Sequence, residues 1–135
     1  MNREIKYMAW NENYKQMKEV FGLDLKGKRV FLDDEMKSWW LFKHCTLLQY
    51  TNFNDDSKDT NDIYDGHIIL GSWYEPSDEY GGQECTDIAK VFLDETSGQW
   101  MVKEFKTTGE TYPLYDYCEK VEIIGNIYEN KELLE

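Results

Sequence analysis

A chain of 135 residues in which 16% are aromatic, ten Tyr and five Trp among them, has the length of one domain and leans towards strands rather than a Leu/Ala-rich bundle. Fifteen Lys/Arg against 27 Asp/Glu leave a formal net charge of −12, which repels a phosphate backbone and excludes nucleic acid as a direct partner. The charge is uneven: residues 1–45 hold nine Lys/Arg and seven Asp/Glu (+2), and residues 46–135 hold six and twenty (−14). Such acidity keeps a protein soluble, or imitates a polyanion towards a basic protein. Cys45, Cys85 and Cys118 are odd in number and without a C-x-x-C pair, and no leader-like or membrane-length apolar run is present. The expectation is a reduced, cytoplasmic setting with no membrane contact.

In chain order, REIKYMAW alternates, with Ile5, Tyr7 and Ala9 on one side, and predicts a strand. NEN is turn chemistry, so residues 14–21 are expected to return as the second strand of a hairpin, with a helix as the rival. RVFL from Arg29 is a short strand. The segment DDEMKSWWLFKHCTLLQYT suits helix or strand, and the expectation is a strand ending at Tyr50. TNFNDDSKDTND has loop composition and marks a seam. IYDGHIIL places a turn at Asp65-Gly66 ahead of a strand over 67–70. GSWYEPSDEYGGQEC is expected to be a long loop because Pro76 and Gly81-Gly82 discourage pairing. DIAKVFLDETSGQWMVKEF predicts a hairpin, 88–93 against 100–105. KTTGETYPLYDYCEK is a second loop with three tyrosines. VEIIGNIYENKELLE closes the chain as a strand over 121–127, with Gly125 at a bulge or close approach, Asn130 as a helix cap and one last helical turn.

The fold class is therefore mainly β: a small barrel or roll in the C-terminal half, with an N-terminal β-hairpin region. The expected layout is residues 1–52, an acidic loop or linker at 53–62, and the barrel at 63–135.

Chemistry-bearing patterns are sparse. His44, His67 and the cysteines lie at no zinc spacing. Asp55, Ser57, Asp59 and Asn61 alternate like half a calcium loop, but Thr60 stands where a glycine is needed and Gly66 where a bidentate acid is needed. Neither Ser38, Ser72 nor any Cys sits in a nucleophile signature, and Gly81-Gly82 lacks the rest of a phosphate loop. The expectation is no catalytic residue, no metal, no cofactor and no enzyme. The remaining contact surface is aromatic, at Trp39, Trp40, Trp73 and Tyr74, since in a strand one member of each adjacent pair points away from the core.

Four blocks carry a resemblance. REIKYMAW, LLQYTNFNDDSKDTNDIYDGHI, VFLDETSGQW and VEIIGNIYENKELLE resemble, in order and spacing, the YopX-like proteins of bacteriophages and integrated elements of Gram-positive bacteria. Within these blocks the structural motif residues are Trp10, Tyr50, Tyr64, Gly66, Gly125, Asn126, Tyr128 and Asn130. The resemblance implies an SH3-like barrel, a phage or prophage origin in the bacterial host cytoplasm, and self-association, but no reaction. Three departures stand out: His67 replaces an acid, Lys131 replaces a proline, and the 75–84 loop is longer than the family's. The functional expectation is a non-enzymatic accessory protein that acts by protein contacts and homo-oligomer formation with a host or phage partner. The alternatives are an acidic decoy for a basic protein and an aromatic surface that binds a small ligand.

Overall fold

The computed structural model describes residues 3–79, 81–105 and 109–134. The protein is mainly β, and among the described residues its helical turns are short 3-10 turns. The chain divides into two compact units, Met1–Tyr50 and Thr51–Glu135.

In the first unit β1 (Tyr7–Asn11) and β2 (Gln16–Glu19) form the expected hairpin, with Trp10 opposite Met17. The hairpin prevails over the helix because Asn11 Oδ1 accepts from the Asn13 and Tyr14 amides at 2.9 and 3.2 Å, which holds the turn, and Lys15 adopts a φ of 54° to close it. Ile5, expected on the inner face, precedes the strand and is 81% exposed; the buried residues of β1 are Ala9, Trp10 and Asn11. β3 (Gly22–Asp24), β4 (Arg29–Phe31) and β5 (Trp39–Leu41) make a three-stranded antiparallel sheet. Asp24 sets the β3–β4 turn by accepting from Gly27 N and from the Arg29 guanidinium. Asp33 does the same for the next connection, through Lys37 N and Ser38 N. That turn is why the segment after Phe31 is not a helix.

β6 (Cys45–Asn54) pairs its first half with β1, and the unit boundary falls inside it. The strand passes the expected end at Tyr50 by four residues, so the expected loop at 51–62 shrinks to its acidic middle. β7 (Asp62–Tyr64) follows, with the Thr51 hydroxyl donating to Ile63 O at 2.7 Å.

The second unit is built on a five-stranded antiparallel sheet, order β11-β10-β9-β8-β12, curled as a half-barrel. Its strands are β8 (His67–Glu75), β9 (Gln83–Asp94), β10 (Gln99–Glu104), β11 (Thr111–Pro113) and β12 (Lys120–Asn126). The long loop expected around Pro76 is corrected, because pairing continues to Glu75 opposite Gln83 and the breakers Pro76, Gly81 and Gly82 sit in the turn itself. The second expected loop likewise contains β11 and a 3-10 turn at Leu114–Asp116; Pro113 is tolerated because β11 is an edge strand. The core is Ile63, Ile69, Ala89, Val91, Val102 and Leu114, with Val121 and Ile123 packed against it.

β12 is the other edge of this sheet, and an acidic loop closes it. Val121 N donates to Asp56 Oδ2 at 2.8 Å, Ile123 N to Asp55 Oδ2 at 3.1 Å, and Asp56 N to Val121 O at 2.8 Å. The ladder slips between Ile123 and Gly125, which is the bulge that the sequence predicts. Gly125 also makes the close approach: a Cβ there would lie 2.5 Å from Asn130 Oδ1. That oxygen accepts from Asn126 N at 3.0 Å, so Asn130 reaches back to the strand instead of capping the 3-10 turn Lys131–Leu134.

Candidate functional site

The inward row of β8 runs Ile69, Gly71, Trp73 at period two. Opposite it, β9 offers Ala89 and Asp87, and β10 offers Glu104 beside Ala89. One sheet face therefore passes from the core into a patch of Gly71, Asp87 and Glu104. Both acids are buried, at 1% and 6% exposure.

The chain between β11 and β12 is laid over that patch. Leu114 anchors it in the core, and the 3-10 turn delivers Tyr117 and Cys118 onto Gly71. An added Cβ on Gly71 would stand 2.5 Å from Tyr117 Cε2 and 2.6 Å from Cys118 Sγ, so only glycine leaves them room. Tyr117 Oη donates to Glu104 Oε2 at 2.8 Å, and the Tyr112 and Tyr117 rings lie 5.9 Å apart. The result is a cleft of about 730 Å3 lined by Trp73, Glu75, Glu104, Tyr112, Asp116, Tyr117, Cys118 and Glu119.

Its field is negative. Burial, the hydrogen bond to Glu104, and the charges of Glu104 and Asp87 push the Tyr117 hydroxyl far above the usual tyrosine range. Burial pushes the Cys118 thiol up to about 11; the Tyr117 hydrogen bond opposes it, and the charges of Glu104, Asp87 and Glu119 add smaller upward effects. At neutral pH that thiol stays protonated and is unfit as a nucleophile. What such a cleft does well is hold a positive charge against aromatic faces.

His67 and Asp55 are occupied structurally. His67 Nδ1 accepts from Tyr64 N at 2.9 Å, and the two rings meet edge to face at 5.8 Å. Burial lowers its pKa to about 4, against a smaller raising effect of Asp55. Asp55, 3% exposed, accepts from Ser57, from Asn61 N and from Ile123 N; these bonds outweigh burial and hold its carboxyl below the usual range. Its oxygens serve the loop and β12, and no group of three or more His, Cys, Asp or Glu suited to a metal ion occurs among the described residues.

Of the sequence-derived surface residues, Trp73 enters the cleft, whereas its neighbour Tyr74 turns away, 49% exposed, and donates to Gly81 O. Trp39 and Trp40 belong to the first unit. Trp39 is 46% exposed with the Arg29 guanidinium 5.0 Å from its ring, while Trp40 approaches Tyr14 at 6.4 Å; both line a hollow of about 230 Å3 with His44.

The motif residues serve the scaffold. Trp10 and Tyr50 are buried in the first unit, with Trp10 Nε1 donating to Glu12 at 2.7 Å and Lys6 Nζ lying 4.5 Å over the Tyr50 ring. In the second, Tyr64 is buried, and Gly66 (φ 84°) donates to Val91 O and accepts from Ile127 N. Asn126 Oδ1 accepts from Tyr128 N and Glu129 N, and Asn130 N donates to Asn126 O, which folds the chain end back on itself. Reasoning from sequence passes over Gly71, Glu104, Tyr112, Asp116, Tyr117, Cys118 and Glu119. The available signal is tyrosine interleaved with acids in TYPLYDYCE.

A family model described as YopX protein matches residues 3–135. No curated protein matches the chain.

Proposed function

We propose, for a chain that belongs to the YopX protein family, a non-enzymatic accessory role carried out by protein contacts, in which the second unit engages a basic partner and the first supports self-association. The observation that carries this reading is the charge step at the unit boundary. Residues 1–50 hold nine Lys/Arg and seven Asp/Glu (+2), residues 51–135 six and twenty (−14), which sum to −12. A single unit with that excess attracts basic proteins over roughly a Debye length, about 8 Å at physiological salt.

Further features support it. Phe21, Leu25, Met36 and Trp39 of the first unit are all about half exposed or more, a surface suited to self-association. Burial raises the Cys118 thiol above its ordinary range, and His67 and Asp55 are committed to backbone amides, which favours contact over reaction. The order β11-β10-β9-β8-β12, with a 3-10 turn before the returning last strand, supports an SH3-like barrel for residues 63–135. The setting proposed is the cytoplasm of a bacterial host, with a phage or prophage origin; among the described residues no helix is long and apolar enough to cross a membrane.

Capture from infected-cell lysate tests the partner: basic proteins released by salt are expected, and partners indifferent to salt that leave only with detergent overturn the reading. Light scattering at tens of micromolar tests self-association, which a clean monomer would remove. The polyanion-mimic decoy is a form of the same reading in which the partner's nucleic-acid surface is blocked. A small-ligand role is favoured only by Trp73 in its cleft, and tryptophan fluorescence unchanged across a ligand panel would dismiss it.

A further inference from the structure

We infer that the cleft between β8, β10 and the β11–β12 connection receives a lysine or arginine side chain of a basic peptide segment. This rests on the reading of the second unit as a binder of basic proteins and says where on that unit the specific contact lies.

Three observations converge on this cleft. The first is shape: about 730 Å3 of open concavity is larger than a single cationic side chain needs, and it suits one anchor side chain with part of its flanking backbone. The second is chemistry. The walls combine the aromatic rings of Trp73, Tyr112 and Tyr117 with the carboxylates of Glu75, Asp116 and Glu119. Ring faces and carboxylates both attract an organic cation, and a guanidinium in addition stacks on rings. The third is field. Behind the rings, Asp87 and Glu104 are buried; burial first, and the charges of these two acids after it, raise the proton affinity of Tyr117 and Cys118. A cation entering the cleft is attracted by the lining carboxylates where solvent screens them least.

The occupant is a cationic side chain rather than an anion or a neutral sugar because of this sign. It belongs to a peptide rather than to free amine because the cleft is open, leaving room for the backbone on either side of the anchor. Tyr117 is held from below: Gly71 gives it its seat, and Glu104 fixes the hydroxyl.

The test uses the full chain and a nine-residue peptide of alternating Lys and Gly, with its lysine-acetylated form as the uncharged control. Amide and side-chain NMR shifts of Trp73, Tyr112 and Tyr117 are followed during titration, and the affinity is measured at low and high salt. The expected result is saturable shifts confined to the cleft, absent with the acetylated peptide. The exposed pair Asp116→Asn with Glu119→Gln should weaken binding about tenfold, whereas Asp59→Asn with Glu95→Gln, equally exposed but outside the cleft, should change it less than about threefold. If both pairs weaken binding equally and the shifts spread over the second unit, the cleft assignment fails while the basic-partner reading stands. If neither the peptide nor any basic protein binds in a salt-sensitive way, both fall. Equal binding of the acetylated peptide overturns cation recognition on its own.

Discussion

His67 is the residue at which pH acts most directly on the folded chain. Burial holds its folded pKa at about 4, while in the unfolded chain the value is about 6.5. Above 6.5 both states are neutral and the Tyr64 N–H to Nδ1 bond contributes fully. Between 6.5 and 4 the unfolded chain takes up a proton that the folded one refuses, so stability falls as pH falls, by about 3 kcal/mol across the window. Denaturant melts from pH 7 to 4 should show this slope, and it should flatten in His67→Gln, which keeps an acceptor without titrating there; an unaltered slope would assign it to other groups. A second residue-scale prediction concerns Gly71. Gly71→Val puts a branched side chain where Tyr117 and Cys118 already lie, so it should lower stability by about 2–3 kcal/mol and disturb the Tyr117–Glu104 bond. A melt within about 0.5 kcal/mol of the parent would mean that the connection rides clear of Gly71.

At the scale of elements, the clamp of Asp55 and Asp56 on β12 is a device of edge protection. Asp55→Ala leaves the Ile123, Asn61 and Ser57 donors without their acceptor and should cost about 2–3 kcal/mol. Hydrogen exchange at Ile123 should quicken far more than at Val102 in the core; uniform change would show a global effect only. At the bulge, Gly125→Ala crowds the Asn130 amide and should cost about 1–2 kcal/mol, with exchange at Asn126 N faster because its acceptor is displaced. These elements were unequally legible in the sequence. The β9–β10 hairpin could be foreseen because two apolar runs flank DETSG, and the bulge because glycine interrupts an apolar row. Both signals are local. The clamp joins residues 65 and 68 apart, and Asp55 in a clamp has the same composition as Asp55 in a solvated loop. The cleft was hidden likewise: β8 supplies Trp73, β10 supplies Glu104, and the seat that lets Tyr117 join them is the missing side chain of Gly71.

For the molecule as a whole, the aromatic content and charge step foretold a β protein with an acidic C-terminal part, since both follow from residue counts. Strand ends were misjudged where breakers fall inside turns, at Pro76 and Gly81-Gly82, because propensity cannot say whether a breaker ends a strand or only bends the hairpin. Net charge also sets a response to salt. With −14 on residues 51–135, like-charge repulsion opposes compaction, so the melting temperature should rise by a few degrees between roughly 0.02 and 0.5 M sodium chloride. A fall would mean that attractive pairs outweigh the repulsion. The two-aspartate clamp has a bearing on handling too. Acid strong enough to protonate Asp55 loosens the cover, and β12 then offers bare amides to its counterpart in another molecule. Elution at low pH would thus be expected to seed fibrous precipitate, whereas displacement at neutral pH would yield clear solutions.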